Sequence, residues 1–169
     1  MPPKTQNLAV SSTCPCGSLK SLGECCLPFI RGQLKPLSAE QLMRSRYTAH
    51  ALLEIDYLWD TWSPEQRVRS SPADIHAWAE SCEWLGLQIL ATEKGQANDD
   101  TGIVEFIALF HKKEVRNKEV HKKEGRNTEV RNKEAPSQGV HSQNELHQHH
   151  ERSLFKKALG QWLYIDHQA

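Results

Sequence analysis

The sequence predicts an α+β protein, and three observations lead there. Four cysteines crowd between residues 14 and 26, helical periodicity follows them, and the period changes to that of strands beyond residue 84. The chain has 169 residues, enough for one domain with a small appendage. Lys and Arg total 21 and Asp and Glu total 21, so no global field draws it to nucleic acid or to an anionic membrane. No apolar run reaches the ~20 residues of a membrane span. Residues 1–13 carry one lysine and no apolar core; they read as a disordered tail and not as a secretory signal. The expected location is therefore cytoplasmic, where thiols stay reduced.

The cysteines read Cys14-x-Cys16, eight residues, then Cys25-Cys26. Two disulfides or four free thiols are the alternatives to a metal site. Adjacent cysteines rarely bond each other, and a reducing compartment disfavours the other pairings. The reading is one structural zinc ion held by Cys14, Cys16, Cys25 and Cys26, with no position left open for a catalytic water. Gly17 and Gly23 supply unusual backbone angles, and Lys20 offsets thiolate charge. This knuckle occupies residues 14–36 and, being punctuated by Gly and Pro, is expected to lack regular structure.

Residues 37–169 form the second unit. Ser38 with Gln41 makes a helix-capping pair, and apolar residues from Ala39 to Trp62 recur at helical spacing, with a division near 51–54. Pro64 ends that stretch. Ser71-Pro72 opens a helix to Glu83, in which Cys82 is a buried small side chain. Strands follow at 84–92, with Leu85, Leu87, Ile89 and Ala91 on one face, and at 102–110, joined through a Gly/Asn/Asp turn at 93–101. In the second strand Val104, Phe106, Ala108 and Phe110 share a face, while Glu105 shares the other with Ile103, Ile107 and Leu109. Strands at 148–157 and 161–166, turning at Gly160, complete an antiparallel meander.

A low-complexity insert interrupts the sheet at 111–146. Residues 112–136 are five tandem pentads (KKEVR, NKEVH, KKEGR, NTEVR, NKEAP). A period of five gives neither a helix stripe nor a strand face, so a solvated loop is expected. Its Lys and Arg excess suggests an RNA-binding arm, but no aromatic residue is interleaved to stack on bases, so there is no strong nucleic-acid signal.

Glu105 is the candidate catalytic residue. A carboxylate among isoleucines and a leucine is partly desolvated, which raises its pKa and poises it as a general acid or base. The structural alternative is an ion pair with Arg44, Arg46 or Arg152. Alternation puts Glu151 and Ser153 on the face of Phe155, and His150 on the other with Arg152, so these three do not form a catalytic trio. His147 and His149 share a face and, with His150 nearby, make a surface cluster able to take an adventitious metal.

With CPCGS at 14–18, CCLPFIRG at 25–32, LMRSRYTAH at 42–50, YLWDTW at 57–62, WLGLQI at 84–89, GIVEF at 102–106, HERSLF at 150–155 and GQWLYID at 160–166, the chain resembles the YchJ-like family of bacterial SEC-C motif proteins. The knuckle alone also resembles the C-terminal motif of the SecA translocation ATPase, which binds metal and helps contact partners. The resemblance implies a nuclear transport factor 2-like, or cystatin-like, fold: a curved antiparallel sheet wrapped around helices as a cone with an internal pocket. Arg44, Arg46 and Tyr47 of the first helix either line the pocket mouth and attract an anionic ligand or form a capped, solvated helix face, and Thr61 and Trp62 pack a helix end on the sheet. The pentad insert departs from the family pattern, in which that loop is short.

Three functions are expected in order. First is a binding or adaptor protein whose zinc-stiffened knuckle docks on a macromolecular partner, which the resemblance to the SecA motif implies is a chaperone or the ribosome. Second is a small-molecule enzyme of dehydratase or isomerase type acting through Glu105. Third is a protein that binds a small-molecule ligand in the pocket without catalysis. An enzyme is the less favoured expectation, since the fold does not dictate function.

Overall fold

Residues 9–113 and 145–168 are described by the structure, a computed structural model. The pentads beyond Lys113 and tail residues 1–8 lie outside the described residues. The elements are α1 (Leu27–Ile30), α2 (Ala39–Leu52), α3 (Ile55–Asp60), α4 (Pro64–Arg67), α5 (Pro72–Ser81), β1 (Cys82–Lys94), β2 (Thr101–Lys112), β3 (Leu146–Ala158) and β4 (Gln161–Gln168). The strands form one antiparallel sheet in the order β1-β2-β3-β4. The α+β class is as expected.

Ser38 caps α2 by accepting from Gln41 N; Gln41 Oε1 in turn accepts from Leu37 N, one residue earlier than a reciprocal box would have it. Leu53 adopts the left-handed conformation (φ 60°) and separates α2 from α3 inside the expected 51–54 division. Ser71 and Asp74 form a full capping box on α5. Ala39, Leu42, Met43 and Tyr47 of α2 pack against Leu87, Val104, Phe106, Ala108, Phe155 and Trp162 of the sheet. At the start of α2, Ala39 N donates to Gly95 O. A Cβ on Gly102 would sit 2.4 Å from the Gly95 Cα, so the β1–β2 turn tolerates no side chain there.

Several sequence expectations need correction. Residues 9–13 are not a loose tail: Val10 O and Ser12 O accept from Gly23 N and Leu22 N, and Thr13 bridges Ser21. The knuckle carries a 3-10 turn at Leu22–Glu24 and the α1 turn, and Pro64 begins a short helix as well as ending one. Cys82 is buried as expected but opens β1 instead of closing α5. The inward residues of β1 are Trp84, Leu87 and Ile89, because bulges at Leu85 and Leu90 break the strict alternation. Each bulge inserts one residue, and Leu85 and Leu90 are exposed as a result. The end residues of the supposed insert, 111 and 146, belong to β2 and β3, where they pair with each other.

Candidate functional site

Two sites flank α2. On one side lies the knuckle. Cys14, Cys16 and Cys26 are buried, and with Leu22, Leu27 and Leu52 they make a small core of their own. The four sulfurs lie within 4.8 Å of one another. Two of their separations are 3.6 Å (Cys16–Cys25) and 3.8 Å (Cys25–Cys26). A tetrahedron with metal–sulfur bonds of ~2.3 Å has edges of ~3.8 Å, whereas a disulfide brings sulfurs to ~2.05 Å. The spacing is that of ligands around an ion, and all five cysteines are free.

Protonation points the same way. Hydrogen bonds from Cys14 and Cys26 pull the Cys16 thiol far down, burial pushes Cys25 up to about 11, and bonds with Cys14 and Cys16 drive Cys26 higher still. A cation at the cluster would favour the deprotonated form of the thiols it binds. These four cysteines could therefore hold a metal ion.

Gly17 has φ +77°, and a Cβ there would meet Leu87 O at 2.6 Å, so it serves both a left-handed turn and close docking on β1. Gly23 differs from expectation: its φ is not left-handed, and its role is to leave room for Val10. Lys20 is exposed. The cation built into the knuckle is Arg44, which donates to Cys16 O at 2.7 Å and pairs with Glu40 at 2.8 Å. Arg44 thus faces the knuckle and not the pocket mouth. Thr48 Oγ1 lies 3.5 Å from Cys14 Sγ and Ser18 Oγ 3.1 Å from Cys25 Sγ.

On the other side of α2, a cavity of about 280 Å³ lies between the helices and the sheet. Aromatic rings dominate its wall: Tyr47, Trp62, Trp78, Trp84, Phe106, Phe110 and Tyr164. Arg46 and Tyr47 line it as expected, but both are buried in its interior and not at its mouth. The exposed members, Trp78 and His149, mark its mouth. Arg46 is only 5% exposed. Its Nη1 donates to Leu58 O (2.9 Å) and Thr61 Oγ1 (2.6 Å), both neutral acceptors. Its guanidinium carbon lies 5.1 Å from the Tyr164 ring centre and 5.8 Å from that of Trp62. Burial lowers Arg46 to about 10, which leaves it a cation at neutral pH. His50, one turn on, stacks on Trp84 at 5.3 Å. Burial, and then the Arg46 charge, push it down to about 3, so its imidazole is neutral.

Across the cavity, His149 Nε2 donates to Glu151 Oε2 at 2.7 Å, and Ser153 and Tyr164 donate to Glu151 Oε1. Burial pushes Glu151 up, but the bonds from His149, Ser153 and Tyr164 together outweigh it and bring the carboxyl to about 2. The same bond raises His149. His149, and not His150, is thus the histidine on the Glu151 face. His147 stacks on Phe110 on that inner face.

Glu105 is elsewhere. Its neighbours Val104 and Phe106 are the buried residues of β2, so its side chain projects from the outer face of the sheet. There it accepts from His150 Nε2 at 2.8 Å and lies 3.8 Å from Arg152. Its expected role as the pocket's acid or base is corrected: alternation along β2 turns it away from the cavity, and an ion pair with Arg152, one of the three arginines considered, is what it makes. His50 and Trp84 were missed as cavity residues. The Arg46–His50 spacing of one helical turn, on the Tyr47 side of α2, was the available signal.

A family model described as "YchJ, middle NTF2-like domain" matches residues 38–133, and a UPF0225 protein of Haemophilus influenzae is 34% identical over 94% of this chain and 79% of its own length. The chain belongs to the YchJ-like family. A UPF0225 protein of Geobacter sulfurreducens is 48% identical over 60% of this chain, and the match spans 63% of that relative's length. Among solved structures, the chain is similar to RPA3114, a SEC-C motif containing protein from Rhodopseudomonas palustris, with a TM-score of 0.69 and 31% identity over 94% of this chain and 98% of the other. A SEC-C motif containing protein from Psychrobacter arcticus shares the fold, with a TM-score of 0.66 and 24% identity over 94% of this chain and 84% of the other. This YchJ-like chain is thus an NTF2-like body with a SEC-C cysteine cluster. No helix among its described residues is long and apolar enough to cross a membrane.

Proposed function

We propose that this chain is a binding protein in which a zinc ion clamps the knuckle to an NTF2-like body and the cavity takes a small molecule. One observation carries the reading: two residues that line the aromatic cavity, His50 and Trp62, each carry a buried polar atom, Nδ1 and Nε1, with no partner among the described residues. Such groups cost ~1–3 kcal/mol each when left unmet, and a bound molecule with polar atoms of its own would meet them. An apolar pocket with a few polar groups converging on it is the usual form of a ligand site. Zinc is favoured over other ions by the all-sulfur donor set and the tetrahedral spacing. With four protein ligands it leaves no open position, so its role is structural. Reduced thiols at the cluster favour a cytoplasmic setting.

The test is a fragment screen by NMR on zinc-loaded protein, using small aromatic molecules of all charge types. Hits that shift the Trp62 indole N–H signal are expected. A screen in which nothing shifts that signal would sink the reading.

A second reading has the knuckle docking on a protein or the ribosome. Leu19 favours it: this residue is 87% exposed and held at φ 64° beside Lys20 on the knuckle surface. Leu19→Ser should then weaken co-sedimentation with purified ribosomes, and wild-type protein that fails to co-sediment would remove the ribosome as partner.

A further inference from the structure

We infer that the cavity selects a planar aromatic molecule carrying one negative charge, with the anionic group seated on Arg46. This rests on the ligand-binding reading above and adds the class of ligand. The bonding of the charged residues that line the cavity leads to it. Arg46 is a buried cation whose hydrogen bonds go to a carbonyl and a hydroxyl, and among the described residues no carboxylate forms an ion pair with it. The carboxylate in the same cavity, Glu151, is already engaged by His149, Ser153 and Tyr164. His50 is neutral. The Glu151 charge reaches Arg46 from across the cavity, but no carboxylate is bonded to the guanidinium.

A buried cation with no bonded carboxylate carries a desolvation cost that its two neutral acceptors and two cation–π contacts only partly offset. An anion seated on the guanidinium would remove that cost. A carboxylate suits the guanidinium best, since its two oxygens match the planar N–H fork. The Trp62 indole ring, which lines the same cavity, is in cation–π range of the Arg46 guanidinium, and its buried Nε1–H has no partner among the described residues. The remaining walls are faces and edges of Trp84, Phe106 and Phe110, with Trp84 and Phe110 at 5.5 Å. Such walls favour a flat, apolar body over a sugar or an aliphatic chain bearing hydroxyls. Two fused rings with one carboxylate meet both demands within the volume.

The experiment compares 2-naphthoate with 2-naphthamide, which has the same rings and an uncharged amide, by calorimetric titration of the zinc-loaded full chain. Naphthoate is expected to bind about tenfold more tightly or better, the effect of one charge-assisted pair, and to shift the Trp62 indole N–H signal. In Arg46→Met the preference should vanish while naphthamide affinity stays within a factor of about three. Equal affinities in the wild type would overturn the anion assignment and leave the ligand-binding reading standing. Naphthoate binding that shifts surface residues and spares Trp62 would overturn it as well. If neither compound binds and the fragment screen is also silent, both readings fall. The acid–amide comparison needs no variant, so it stands even if Arg46→Met does not fold.

Discussion

His50 lies on α2 with its Nδ1 sealed from solvent and no partner for it, which gives this residue a measurable signature. An unfolded imidazole takes up a proton as pH falls through ~6.5, whereas folded His50 stays neutral until about 3. Its contribution to stability is therefore fully present above ~6.5 and lost as pH falls below it. Between pH 7.5 and 4.5 the wild type should lose ~2 kcal/mol more than His50→Gln in urea unfolding. His149 works in the opposite sense. Pairing with Glu151 raises it, so its contribution is present below the free value and lost as pH rises through the folded one. Both proteins share that term, and it cancels in the comparison. Parallel pH profiles would mean that His50 protonates freely inside the fold.

α2 is the element on which both sites depend. Arg44, Thr48 and Leu52, each one turn apart, face the knuckle through Cys16 O, Cys14 Sγ and the Leu22–Leu27 cluster. Met43, Arg46, Tyr47 and His50 face the cavity. A helix buried on two sides shows no clean apolar stripe, and its polar residues are placed by partners rather than by water. Among the described residues, Arg44 is the one knuckle contact that combines a charge with a hydrogen bond to a cysteine carbonyl. Arg44→Met should lower zinc affinity by about 10–100-fold, the usual effect of losing a residue that orients a ligand. Competition with a chromogenic chelator, with zinc stoichiometry from native mass spectrometry, would measure it. Unchanged affinity would show that the Arg44 bond to Cys16 O does not support the metal.

At the scale of the whole molecule, β2 and β3 pair directly with each other on both sides of residues 114–144. β2 and β3 pair continuously from Thr101↔Lys156 to His111↔Leu146, so Lys113 and Glu145 leave the ladder side by side. Replacing 114–144 by a short Gly/Asn turn should leave Tm within a few degrees of wild type. Shortening a loop changes closure entropy only logarithmically. A fall beyond ~8 °C, more than ~2 kcal/mol for a chain of this size, would mean that the replaced residues support the core.

Much of this protein could be read from residue types and spacing, because the relevant forces are local. Four cysteines spaced to close a tetrahedron, Ser38 and Ser71 as helix caps, the division of the helical stretch near Leu53 and the faces of β2 and β3 all follow from neighbours a few positions away. Alternation alone put Glu151 and Ser153 with Phe155. The rest was decided by tertiary contacts. The bulges at Leu85 and Leu90 depend on how β1 must bend to meet β2, and one extra residue inverts a face without leaving a mark in the periodicity. Which side of β2 becomes interior depends on where α2 docks, and that turned Glu105 outward and drew His149 to Glu151. Arg46 is a buried cation and Arg44 a knuckle clamp, two residues apart, because opposite faces of one helix are covered by different partners.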